Sequence, residues 1–142
     1  MLAVNEIKEQ LPHRFPFLLV DRIITIEKGH KAIGIKNITA NDFFCRQEYF
    51  NDEIMFPGSL QVEVIAQLAA FVVMGLEVAK SKMPLLASIN KARFRRIIRP
   101  GDQLRIEVSL KRLKAGIGKF TAHTYIKDEL AGEVEFTCVT AE

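Results

Sequence analysis

Glu63 and Gln67 are the first residues in this 142-residue chain that invite a chemical reading. They lie four apart inside a run that is otherwise apolar, so on a helix they share one face. A carboxylate in the first turns of an apolar helix is costly to bury charged. Desolvation would raise its pKa and let it serve as an acid near neutral pH, with the Gln67 amide fixing its rotamer. Alternatively, Glu63 sits at the solvent edge and does nothing. Gly58 opens the same segment. There the free N–H groups and positive pole of a helix could polarise a thioester carbonyl, or the glycine could simply serve a turn. A third feature is the run Lys91, Arg93, Arg95, Arg96, Arg99, with five positive charges in nine residues and no acid. Lys111, Arg112, Lys114 and Lys119 extend it. Such a surface suits an acidic partner, although a charged face is often merely solvated.

Other chemistries are missing from the sequence. His13, His30 and His123 do not stand at ligand spacing from cysteines or carboxylates, so no metal is expected. Glycine-rich phosphate or dinucleotide fingerprints and the serine-hydrolase elbow are lacking, and no cofactor is expected. The basic run comes without a recognition helix or RNA-binding aromatic motif, which ranks nucleic acid low. His13 lies in an apolar, proline-braced stretch and reads as structural. Cys45 and Cys138 form no motif and read as two reduced thiols. The longest uncharged apolar run, Leu68 to Leu76, has nine residues, too few to span a bilayer. The first residues carry acids and no apolar core of a signal peptide, so a cytoplasmic location is expected.

The elements that must hold these residues follow from periodicity. Asn5 to Gln10 suits a short helix. Phe17 to Glu27 and Lys31 to Thr39 read as strands separated by Gly29, and residues 41–56 as a loop. Pro57 opens a helix over Ser59 to Lys80 that is apolar on almost every face, and therefore buried. Period-two alternation then marks strands over 88–98, 103–110, 119–126 and 133–138, with hairpin turns at Lys114 to Gly118 and Asp128 to Gly132. Arg96 falls on the apolar parity, which suggests a bulge. The pattern describes one α+β domain over residues 1–142, an antiparallel sheet wrapped around one long helix. A single sheet leaves part of that helix uncovered, so a two-fold dimer is expected.

Three blocks carry a family resemblance. Residues 11–22, Leu-Pro-His-Arg-Phe-Pro-Phe-Leu-Leu-Val-Asp-Arg, are similar to the N-terminal signature of the FabZ-type 3-hydroxyacyl-[acyl-carrier-protein] dehydratases. Residues 57–67, Pro-Gly-Ser-Leu-Gln-Val-Glu-Val-Ile-Ala-Gln, resemble that family's active-site helix. Residues 91–96 and 100–104 resemble its third block. The resemblance implies a hotdog fold and the elimination of water from a 3-hydroxyacyl thioester on acyl carrier protein in fatty-acid biosynthesis. It also implies a homo-oligomer, a dimer or a trimer of dimers. It assigns the proton at C2 to a histidine, Glu63 of the other subunit to the departing hydroxyl, and the Gly58 N–H to the thioester carbonyl. Phe56, Pro57 and Gln67 would lie against the substrate, and Lys91, Arg93, Arg95, Arg96 and Arg99 against the acidic carrier.

One position departs from the pattern. The family's catalytic histidine stands fourteen residues before the helix carboxyl, where this chain has Tyr49. A phenol with an ordinary pKa near ~10 is a poor base at neutral pH. Three readings follow: a dehydratase whose base is Glu48, Tyr49 or His13; a non-catalytic carrier-binding subunit, alone or paired with an intact homologue; and a hotdog thioesterase in which Glu63 activates water.

Overall fold

The computed structural model describes residues 1–45, 54–76 and 83–140. Its elements, in order, are α1 (Val4–Gln10), β1 (Arg22–Glu27), β2 (Lys31–Asn37), α2 (Gly58–Val73), β3 (Pro84–Phe94), β4 (Gln103–Lys114), β5 (Ile117–Ile126) and β6 (Glu129–Thr140). The six strands form one antiparallel sheet in the order β1-β2-β4-β5-β6-β3. Strands β2 and β3 are therefore consecutive in the chain but far apart in the sheet. The connection between them carries α2, which packs on β1, β2, β3 and β4.

Why α2 is buried follows from its sequence. Val62, Val64, Ile65, Leu68, Ala69, Ala70, Phe71, Val72 and Val73 all face the core, where Ile23, Ala32, Leu104, Ile106, Val108, Ala122 and Val134 meet them from the sheet. Its C-terminal carbonyls are capped from outside the helix. The Gly29 N–H donates to Val72 O at 2.8 Å, and Lys28 Nζ to Phe71 O at 2.7 Å. Burial lowers the Lys28 pKa. A cation at a helix C-terminus also complements the dipole.

Several boundaries differ from the sequence reading, each for a local reason. Strand β1 starts at Arg22 rather than Phe17, because the Gln67 side chain takes the Phe17 carbonyl and the Leu19 N–H that a strand would use. Helix α2 ends at Val73, and Gly75 then turns at φ 86. Residues 77–80 of the expected helix lie outside the described residues. Strand β3 runs from Pro84 to Phe94, and its register shifts fall at Leu86/Ser88 and Ile89/Lys91, not at Arg96. The β5–β6 turn is at Lys127–Asp128, and Gly132 lies inside β6. Any side chain at Gly132 would sit 2.8 Å from both Gln61 Oε1 and Thr124 Oγ1, so this glycine serves close approach rather than a turn.

The two sheet edges are treated differently. At β1, Leu2 exchanges backbone hydrogen bonds with Ile23, at 2.8 and 2.9 Å. At the other edge β3 is exposed along almost its whole length, including Leu85, Leu86, Ile89 and Phe94.

Candidate active site

Glu63 and Gln67 do share a face of α2, one turn apart. Gln67 is buried and its amide is fully committed: Nε2 donates to Phe17 O at 2.7 Å and to Glu63 Oε1 at 3.0 Å, while Oε1 accepts from the Leu19 N–H at 3.0 Å. It therefore fixes the carboxylate and ties α2 to residues 17–19, and it has no donor left over for a substrate. Glu63 keeps 43% of its side chain exposed, so one protomer alone does not supply the burial on which its acid role was argued.

His13 comes to the same place. Its Nε2 lies 3.8 Å from Glu63 Oε1, and its buried Nδ1 has no hydrogen-bond partner among the described residues. Arg14 holds the backbone here. Its guanidinium donates to the carbonyls of Leu11, His13 and Lys8 at 2.8, 2.7 and 2.9 Å, stitching this loop to the end of α1. His13 and Glu63 line a cleft of about 260 Å³ with Pro12, Ala66, Gln67 and Ala70 on one side and Met83 to Leu86 on the other. The walls are mostly apolar and the polar groups few, the usual make-up of a small-molecule site.

Gly58 belongs to a second cleft, of about 280 Å³, with Met55, Phe56, Gln61, Phe94, Arg95, Arg96 and Ile97. Gly58 is the first residue of α2, and a Cβ there would meet the Phe94 ring at 2.6 Å. Only glycine lets the ring lie against the helix start. Phe56 is buried and packs edge-on to Phe44, 5.0 Å between centroids. Phe44 and Phe71 are core as well, whereas Phe43 stays exposed. Pro57 is the N-cap residue, and its carbonyl accepts from the Leu60 and Gln61 N–H groups. The sequence-derived site is thus divided within one protomer between a Glu63 cleft and a Gly58 cleft.

The basic run is less bare than its sequence. Because β3 pairs with β6, Arg93 stands opposite Glu133 and Lys91 opposite Glu135. Arg95 binds Glu133 at 2.5 Å and Arg96 binds Glu129 at 2.5 Å. Arg95 accordingly holds the Glu133 carboxyl below its ordinary pKa, by a side-chain hydrogen bond first and by charge second. Arg95 and Arg96 still line the Gly58 cleft. Among the described residues no carboxylate pairs with Lys111, Arg112, Lys114 or Lys119.

Residues 11–135 match the FabA-like domain family. A 3-hydroxyacyl-[acyl-carrier-protein] dehydratase FabZ of Pelotomaculum thermopropionicum is 48% identical over 135 residues, covering 95% of this chain and 96% of the relative. The FabZ of Natranaerobius thermophilus is 43% identical over 142 residues, covering 100% and 99%. The chain belongs to the FabZ-type dehydratase family. Among solved structures, the dehydratase heterocomplex ApeI:P of Xenorhabdus doucetiae superimposes with a TM-score of 0.79 at 16% identity, covering all of this chain and 93% of its own. The PaaI protein of Escherichia coli superimposes with a TM-score of 0.64 at 12% identity, covering 83% and 81%. At those identities the likeness is one of fold, and the fold is the hotdog.

Against this family background, Tyr49 and Glu48 lie outside the described residues. Two polar side chains are placed by the structure rather than by the sequence. His13 enters the sequence argument only as one of three alternative bases, because nothing in its local spacing points to Glu63, fifty residues on. Gln61 was passed over among its apolar neighbours; it is buried, and its Oε1 accepts from Thr124 Oγ1 at 3.0 Å. Among the described residues no group of three or more His, Cys, Asp or Glu side chains is arranged to hold a metal, and no helix is long and apolar enough to cross a membrane.

Proposed function

We propose that this chain eliminates water from a 3-hydroxyacyl thioester carried on acyl carrier protein, giving the trans-2-enoyl thioester. The observation that carries the reading is the Glu63 carboxylate, held by Gln67 at the rim of an apolar cleft on a FabZ-type helix. In this role Glu63 delivers a proton to the departing hydroxyl. The N–H groups at the start of α2, beginning with Gly58, polarise the thioester carbonyl.

The working unit in this proposal is a two-fold dimer. The exposed apolar edge of β3 suits antiparallel pairing with a second copy. Pairing about Ile89 sets Pro84 of one protomer opposite Phe94 of the other. Pro84 lines the Glu63 cleft and Phe94 the Gly58 cleft, so the two half-sites join across the interface. Arg95 and Arg96, with Lys91, Arg93 and Arg99, form the rim that receives the acidic carrier.

Tyr49 favours a second reading, a subunit that binds the carrier and completes the site of a histidine-bearing partner. Mass analysis of a carrier-bound 3-hydroxyacyl substrate incubated with the purified chain separates the readings. Loss of one water with the acyl group still on the carrier supports the dehydratase. An unchanged substrate supports the partner subunit, and released free acid supports a thioesterase.

A further inference from the structure

We infer that His13 is the general base of this chain, paired with Glu63 of the same protomer; the inference rests on the dehydratase reading. Three observations converge on it. First, His13 Nε2 and Glu63 Oε1 face one another at 3.8 Å, too long for a hydrogen bond and close enough for both to reach neighbouring atoms of one substrate. Second, both line one mostly apolar cleft, and the His13 side chain is 28% exposed there. Third, both groups are placed by neighbours. Gln67 holds the carboxylate, and Arg14 holds the backbone that carries the imidazole, through the carbonyl of His13 itself.

The chemistry closes on these two groups. Nε2 of neutral His13 takes the proton from C2 of the 3-hydroxyacyl thioester. The C–H pair first forms the enolate of the thioester, whose oxygen the N–H groups at the start of α2 hold; it then becomes the C2–C3 double bond as the C3–O bond breaks, and the protonated Glu63 carboxyl supplies the proton that makes the leaving hydroxyl water. The site is left as imidazolium and carboxylate. Return of that proton from Nε2 to the carboxylate resets it, and no outside acid, oxidant or metal is required. Tyr49 needs no basic role in this scheme.

Base and acid are separable by hydrogen exchange at C2. Native chain and variants are incubated with a 3-hydroxyacyl carrier-protein thioester in deuterated water, and both deuterium at C2 of recovered substrate and enoyl formation are measured. His13→Gln is expected to lose dehydration by roughly 10²–10⁴-fold and to lose C2 exchange with it. Glu63→Gln is expected to lose dehydration while C2 exchange persists. Retention of both activities by His13→Gln within a few-fold overturns the inference. Loss of C2 exchange in Tyr49→Phe, with exchange retained in His13→Gln, overturns it too. If His13→Gln unfolds, His13→Asn and imidazole rescue of His13→Ala carry the same test, and failure of imidazole to restore exchange in folded His13→Ala counts against it. A native chain that neither dehydrates nor exchanges C2 defeats the dehydratase reading itself, and that outcome differs from an active chain indifferent to His13.

Discussion

The Gln67 amide donates to the Glu63 carboxylate at 3.0 Å with the same nitrogen that holds Phe17 O at 2.7 Å. One buried side chain thus orients the reactive carboxylate and anchors the loop that follows His13. Replacing it with an apolar residue of similar size leaves the buried Leu19 N–H without a partner and the part-buried Phe17 carbonyl without its donor. A buried group left unpaired costs about 1–3 kcal/mol. Gln67→Met is expected to lose about 1–3 kcal/mol in urea unfolding and to lower kcat through a carboxylate that is no longer fixed. Unfolding midpoints unchanged from the native chain would show that the clamp is dispensable.

Gly58 and Phe94 are expected to be coupled. The Cβ of Gly58→Ala would sit 2.6 Å from the Phe94 ring. Overpacking of this kind costs about 1–3 kcal/mol, less where an exposed ring can swing away. Phe94→Ala is expected to relieve the Gly58→Ala defect, so the double variant should be more stable than the two single losses predict. Strict additivity in chemical denaturation would mean that the ring does not lie on the helix start.

Ile89 stands near the middle of β3 with half of its side chain exposed. In one protomer a polar change there should alter stability by no more than about 0.5 kcal/mol. In the proposed dimer it places a charge on the pairing edge. Ile89→Lys is expected to sediment as a monomer, to remain folded by circular dichroism and to lose turnover. A dimeric, active Ile89→Lys would locate the interface elsewhere.

Cys138 gives a pH dependence whose sign is fixed by burial. Desolvation raises its thiol from 9.0 to about 11. Folding thus favours the protonated thiol. Its contribution is complete below pH 9.0 and is lost as pH rises toward about 11, by about 2–3 kcal/mol. Urea unfolding of the native chain against Cys138→Ala at pH 8 and pH 11 isolates this group. The gap between the two should shrink at the higher pH, and a constant gap would contradict the assignment.

Much of the architecture is legible in the sequence, because period two and an all-round apolar helix are signals that packing reinforces. Strands β4, β5 and β6 and the buried α2 follow from that. Strand β3 is not legible in the same way: it is an edge exposed on both faces, and two register shifts reset its parity. The neutralisation of Arg95 and Arg96 by Glu133 and Glu129 is invisible for a similar reason, since β3 and β6 are distant in sequence and meet only through sheet order. Glu63 and Gln67 are found by helical spacing. His13 is not, because a loop has no period and its approach to Glu63 is made by tertiary contacts through Gln67 and Arg14.

The central claim is that this chain, by itself, performs a dehydration that depends on Glu63. Its most direct test is the rate of enoyl formation from a 3-hydroxyacyl carrier-protein thioester, native chain against Glu63→Gln. Turnover by the native chain, reduced roughly 10²–10⁴-fold in the variant, is the predicted result. Equal rates for the two proteins, or no enoyl product from the native chain, would contradict it.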